Sequence, residues 1–286
     1  MPGRIGRIHE IDLLKGLAVI SMCFFHVFFI AHYLNIRRRN DMYSGVIGFS
    51  ARFAHFLFIF LAGLNLYISC MKSRSIHEYH TKQCKRAILL FIGGIYMTVI
   101  SYLAFPRQFV RFGILHFIAI SSLILQFVAP SLEMTLALCF ICRLLYVYRS
   151  QYPESFYKYP HLSTVLGVRC HYNTLDLFPL LKWIPLSALG ILTGHLLYGS
   201  NIMHRNNGGI LTREVPVLSW IGKNSLWIYL VHFPVIYVTL IMIRSSLKSG
   251  YGSTSHTSHT SPNNSIQSRR IVMLDQIPFQ LGSPRF

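Results

Sequence analysis

Asp12, Lys15 and His26 are the first residues in this chain whose types and spacing could do chemistry. At ~100° per residue, Lys15 lies about 60° round a helix from Asp12, and His26 about 40° in the same sense, so the three share one face. At ~1.5 Å per residue, His26 lies roughly 21 Å along the axis from Asp12. A carboxylate and an ammonium at one end of an apolar helix, with an imidazole far along the same face, read as a lined path rather than a plain anchor. A neutral imidazole there could take a proton near physiological pH, or accept an acyl group for a moment. The plain alternative for His26 is a hydrogen bond to a neighbouring helix.

Further polar groups interrupt the later apolar runs. Arg111 precedes His116 in Arg-Phe-Gly-Ile-Leu-His and could meet a phosphate or carboxylate bidentately, or snorkel to headgroups. Ser225, Tyr229 and His232 follow one another at spacings of four and three, hence on one face of a helix. Asn224 reads as the cap of that helix. Asp176 precedes an apolar run and could simply complement a helix dipole. Arg52 and His55 lie in the second apolar run, and His195 towards the end of the sixth. The sequence argues for no metal, because no apolar run holds a His-x-x-x-His pair. It contains neither the G-x-S-x-G of a serine hydrolase nor a P-loop. Cys139 and Cys142 have C-x-x-C spacing, but in an apolar run they read as packing.

The elements that must position these groups are membrane helices. The chain is 52% hydrophobic and only 13% charged, with mean hydropathy +0.44, against about 25% charged residues in a soluble domain. Seven apolar segments stand out: Ile11–Leu34, Val46–Cys70, Ala87–Phe105, Phe112–Ala129, Leu132–Tyr148, Leu180–Tyr198 and Leu226–Ile243. In lipid the backbone must satisfy its own hydrogen bonds, so the expected fold is an all-α polytopic bundle of about seven transmembrane helices. The tight turn at Pro130 and Ser131 predicts an antiparallel hairpin of the fourth and fifth. The net charge of +18 clusters between the apolar runs: Arg37 to Arg39, Lys72 and Arg74, and Lys82, Lys85 and Arg86. These read as loops on anionic headgroups, with no role in nucleic-acid binding. The long loop from Arg149 to Asp176 could fold over one mouth. The reading divides the chain into a transmembrane domain over 1–245 and a disordered polar tail over 246–286, rich in Ser, Thr, Asn and Gly. The basic residues of the second loop favour a cytoplasmic N-terminus.

Four stretches carry a family resemblance. They are Ile11-Asp-Leu-Leu-Lys-Gly-Leu-Ala-Val-Ile-Ser-Met22 with His26; Arg111-Phe-Gly-Ile-Leu-His116; Asp176-Leu-Phe-Pro-Leu-Leu-Lys-Trp183 followed by Leu189-Gly-Ile-Leu-Thr-Gly194; and Leu218-Ser-Trp-Ile-Gly-Lys-Asn-Ser-Leu-Trp-Ile-Tyr-Leu-Val-His-Phe-Pro234. In order and spacing they resemble the heparan-alpha-glucosaminide N-acetyltransferase catalytic domain family, within the wider superfamily of transmembrane acyltransferases. The resemblance covers roughly 7–243. It implies an integral, multi-pass membrane acyltransferase that moves an acetyl group from acetyl-CoA to a sugar or glycoconjugate acceptor, with transfer across the membrane as an option. On that reading His26 and Asp12 are catalytic, with His32 or a loop histidine as the alternative to His26. Lys15 and Arg111 are offered to CoA phosphates. His116, Asp176, Ser225, Tyr229 and His232 line the substrate path. Membrane lipid surrounds the protein, and a homo-oligomer stays open. The rival reading is a polytopic transporter passing a small solute along the same polar line, although no inverted repeat supports it. A seven-helix receptor is disfavoured, because no Asp-Arg-Tyr follows the third run and no Asn-Pro-x-x-Tyr closes the seventh.

Overall fold

The structure, a computed structural model, describes residues 8–36, 44–152, 158–168, 172, 174–199 and 215–252. Among these there are nine α-helices and no strand: α1 (His9–Tyr33), α2 (Gly45–Lys72), α3 (Ile76–Ala104), α4 (Ile114–Leu125), α5 (Leu132–Val147), α6 (Pro160–Leu166), α7 (Leu180–Tyr198), α8 (Pro216–Lys223) and α9 (Ser225–Gly252). All seven apolar segments fall on helices. Five of the helices, α1, α2, α3, α7 and α9, are long and apolar enough to cross a bilayer. Their outward faces carry large apolar side chains such as Ile88, Ile92, Leu103, Trp227 and Val235. So much exposed apolar surface fits a bilayer rather than water.

Several helix boundaries differ from the hydropathy pattern for local reasons. α3 begins eleven residues before Ala87, so Lys82, Lys85 and Arg86 stand on a helix and not in a loop. Ser75 caps the helix by accepting from the Glu78 amide at 3.1 Å, and Glu78 accepts from the Arg74 amide at 2.8 Å just ahead of the cap. The Glu78–Lys82 ion pair at 2.6 Å continues it one turn on. α4 is shorter than its apolar segment, because residues before it pair with those before α7: Phe112 and Leu177 form an isolated parallel bridge, and the Phe178 amide donates to the Phe112 carbonyl at 3.0 Å. At the other end, turns over 126–130 replace the helix. The hairpin of the fourth and fifth segments does not form. Although the turn is short, α5 packs on α7, and α4 on α3 and α2. Asn224 caps a different helix from the one expected. Its Nδ2 donates to the Trp220 carbonyl at 2.9 Å and closes α8.

Helices α2 and α7 approach each other at backbone distance, as do α1 and α8. A Cβ on Gly63 would lie 1.8 Å from the Ser187 carbonyl oxygen, and one on Gly190 would lie 2.1 Å from that of Phe60. Gly16 meets the Leu218 carbonyl oxygen, and Gly222 that of Asp12, in the same way. Small residues at these crossings are the usual means of helix association in lipid. The core between the helices includes Ala18, Ile59, Phe117, Ala188 and Ile191, all fully buried. Contacts divide the chain after Leu240. Of residues 241–286, only 241–252 are described, as the last turns of α9. The basic run at 37–39 and the tail from 253 on lie outside the described residues, as do 153–157, 169–171 and 173 of the long loop.

Candidate functional site

His26 and His232 meet edge to face, their ring centroids 4.8 Å apart. His26 lies seven residues before Tyr33, about 10 Å from the end of α1 and much further from its start. Met22 sits one turn before it on α1, and its carbonyl accepts from His26 Nδ1 at 2.9 Å. His232 Nδ1 donates likewise to the Tyr229 carbonyl. A carbonyl can only accept, so each Nδ1 carries the hydrogen and each Nε2 is left with its lone pair. His232 Nε2 is buried and makes no hydrogen bond to any described residue. Leaving such an atom unpaired costs about 1–3 kcal/mol.

Aromatic rings hold the pair in place. Phe233 lies 6.4 Å from His26 and stacks on Tyr237, and Phe105 touches Phe233, Tyr237 and Tyr33. Because Tyr33 and Tyr237 share Phe105, α9 runs in the same direction as α1. Tyr229 reaches Phe58 of α2, 6.1 Å between centroids. His55 of α2 lies within the electric field of His26, and its ring stands edge-on to Phe178 at 4.9 Å. His55 was visible in the sequence but received no role there; the available signal was a polar side chain in the middle of an apolar run.

The Tyr33 side of this cluster is closed by the residues that shorten α4. The Arg111 amide donates to Thr174 Oγ1 at 3.2 Å, and the Thr174 hydroxyl lies 3.0 Å from the carbonyls of Phe109 and Asp176. The Arg111 guanidinium sits over the Phe109 ring at 4.3 Å and the Tyr172 ring at 4.6 Å, a cation–π arrangement that holds its charge at the surface. Asp176 accepts from the Leu177 and Ile114 amides and lies within the electric field of Tyr229. Burial nevertheless pushes its carboxyl up to about 7, because desolvation outweighs the two amides.

The sequence-derived candidates therefore separate into groups. His26, Tyr229 and His232 come together, with Asp176 and Arg111 on the Tyr33 side. Ser225 stands one turn before Tyr229 at the start of α9. Asp12, buried at 5% exposure, and Lys15 lie near the opposite end of α1, where Gly222 of α8 packs on the Asp12 backbone. Lys15 and Arg111 are thus at opposite ends of the bundle. His116 goes elsewhere: its ring lies against Gly94 and between Phe91 and Phe112. His195 is structural, since its Nε2 donates to the Ala129 carbonyl at 2.9 Å while its ring rests on Tyr67. Among the described residues no group of three or more His, Cys, Asp or Glu is placed to hold a metal ion.

No curated protein and no solved structure gives a significant match. One family model does, that of heparan-alpha-glucosaminide N-acetyltransferase, catalytic, over residues 7–234. That span takes in all four motif stretches, both histidines of the pair, four of the five long apolar helices and the start of the fifth. The chain is an integral membrane protein and belongs to the heparan-alpha-glucosaminide N-acetyltransferase catalytic family of membrane acetyltransferases.

Proposed function

We propose that the chain transfers an acetyl group from acetyl-CoA to the amine or hydroxyl of a sugar-like acceptor at the His26–His232 pair. The observation that carries this reading is the imidazole pair of buried His232 and half-buried His26, in which both Nδ1 atoms are tied to backbone carbonyls and both Nε2 lone pairs are left for reaction. His26 Nε2 removes the acceptor's proton as its nitrogen or oxygen attacks the thioester carbonyl. The C–S bond then breaks, and the proton returns to the CoA thiolate. The same lone pair could first take the acetyl group itself, releasing CoA before the acceptor arrives.

Asp12 and Lys15 stand at the N-terminal mouth, where the ammonium suits the CoA phosphates. Arg111 and Asp176 stand at the other mouth, on the acceptor's side. Asp176, near its own midpoint at neutral pH, could donate or accept a hydrogen bond from a sugar hydroxyl. His116 and Ser225 are further path residues by position only. The N-terminus is cytoplasmic on this reading, and the protein works in contact with membrane lipid, alone or as a homo-oligomer.

The test is thermal unfolding of the purified protein in detergent with acetyl-CoA, desulfo-CoA and ATP. A ligand that binds the native state at a hundred times its Kd stabilises it by about 2.7 kcal/mol. Acetyl-CoA should raise the midpoint more than ATP does. Labelled acetyl transfer to glucosamine should vanish in His26→Ala, with acetyl-CoA protection retained. Folded protein that ignores millimolar acetyl-CoA would return the polar line to a solute transporter.

A further inference from the structure

The third imidazole has a place in this site that follows from helix register. Phe58 of α2 faces Tyr229 of α9. α2 returns across the bundle against α1, since Ile47 and Ala51 near its start pack on Phe25, whereas α9 runs with α1. The two helices are therefore antiparallel. One turn outward from the Phe58–Tyr229 contact, three residues back on α2 and three residues on along α9, His55 comes opposite His232. His26 already touches His232 at 4.8 Å, and the field of His26 reaches both of the other rings. Three helices thus bring three imidazoles to one level.

The three differ in one respect. His26 and His232 each have Nδ1 fixed by a carbonyl of their own helix. His55 makes no hydrogen bond to any described residue, and its ring is steadied only by Phe178, itself pinned through its amide to Phe112. The tautomer of His55 is therefore not set by the backbone. A ring with both nitrogens unassigned can take a proton on one and give it up from the other, which a backbone-locked imidazole cannot do without turning.

We infer that His55 is a further catalytic residue for the acetyl transfer: a proton relay that takes the proton His26 removes from the acceptor and returns it to the CoA thiolate. This rests on the acyltransferase reading above. The balance is closed within the reaction. The acceptor's N–H or O–H proton passes to His26 Nε2 as the new bond to the acetyl carbon forms. The C–S bond breaks with its electron pair on sulfur. The imidazolium proton then passes through His55 to that sulfur, giving CoA thiol and neutral His26 again. The titratable groups facing His55 are His26 on α1, His232 and Tyr229 on α9, and Asp176 ahead of α7.

Two variants test the relay on the full-length protein in detergent. His55→Phe keeps a ring against Phe178, and His55→Gln keeps a donor and an acceptor that do not titrate. CoA thiol release with glucosamine as the probe acceptor should fall by about ten- to a hundredfold in kcat for both, the range of a lost acid–base contribution. KM for acetyl-CoA should stay within about twofold, and acetyl-CoA should still protect each variant on heating. A limb of the wild-type pH–rate profile should disappear. In His55→Ala, added imidazole should restore part of the rate. Wild-type turnover in His55→Phe, or a pH-independent loss that imidazole does not repair, makes His55 a packing residue and overturns the relay alone. A folded wild type that transfers no acetyl overturns the reaction and the relay together, and His26→Ala run alongside shows which has failed.

Discussion

Asp176 is the residue where pH should be felt outside the membrane-crossing helices. Its carboxyl sits at about 7, against 3.8 when free, because desolvation outweighs the amides of Leu177 and Ile114. The folded state thus prefers the protonated form more strongly than the unfolded state does. Its contribution to stability is fully present below about pH 4 and is lost as pH rises through 7. The midpoint of thermal unfolding should therefore fall between pH 4 and pH 7.5. Asp176→Asn, which is neutral at every pH, should flatten that part of the curve. An unchanged slope in the variant would mean that the carboxylate is better solvated than the Phe112–Leu177 contact suggests. At the same scale, His26→Ala separates chemistry from structure. The His26 side chain makes one hydrogen bond, to its own helix, so its loss should remove transfer and leave the unfolding midpoint within a few degrees of wild type.

At the scale of the helix, the crossing of α2 and α7 is the most sensitive to volume. Gly63 and Gly190 let backbone touch backbone, and Ser187 Oγ donates to the Ile59 carbonyl at 3.2 Å beside them. A methyl group at either glycine would strike a carbonyl oxygen at 1.8 or 2.1 Å, where no side chain can move aside. Gly63→Ala and Gly190→Ala should each cost about 1–3 kcal/mol, as overpacking does, measured by denaturation in mixed micelles. Gly45, with open space around it, should tolerate alanine better, although its positive φ of 59° carries a smaller penalty. Hydropathy alone placed every membrane helix, because a long apolar run in lipid has one backbone solution. The start of α3 is also legible, in Ser75-x-x-Glu78, but the basic cluster of Lys82, Lys85 and Arg86 makes its first eleven residues read as loop. The short α4 was not legible: it follows from pairing between residues 109–113 and 174–178, far apart in sequence. The expected hairpin failed for a similar reason. A tight turn fixes where α5 starts, not which helix it packs on. In the site, the spacing of Tyr229 and His232 on one face was readable from period alone, and so was the polar His26. That His232 meets His26 depends on how α9 runs alongside α1, which no local pattern encodes.

For the whole molecule, the separation of the Asp12–Lys15 end from the Arg111–Asp176 end leads to a prediction about sides. Lys15 and Asp12 lie near the start of α1, whereas His26, Arg111 and Asp176 gather towards its end, at Tyr33. A donor entering by the first end and an acceptor by the second would meet at the histidines from opposite faces of the bilayer. Transfer would then need acetyl-CoA on one side only. In vesicles of known orientation, acetyl-CoA supplied on the N-terminal face should label a membrane-impermeant aminosugar trapped on the other. CoA thiol should appear on the face where acetyl-CoA was added. Lys15→Gln should raise the KM for acetyl-CoA and leave that for the aminosugar unchanged, and Arg111→Gln should do the reverse. Labelling only when donor and acceptor share a face would mean that one end serves both, and that the polar line from Asp12 to His26 is not the donor's route. The N-terminal face itself can be fixed independently with a reporter fused to Met1. A cytoplasmic result agrees with the basic residues around α3, and the vesicle experiment then gives the direction of transfer.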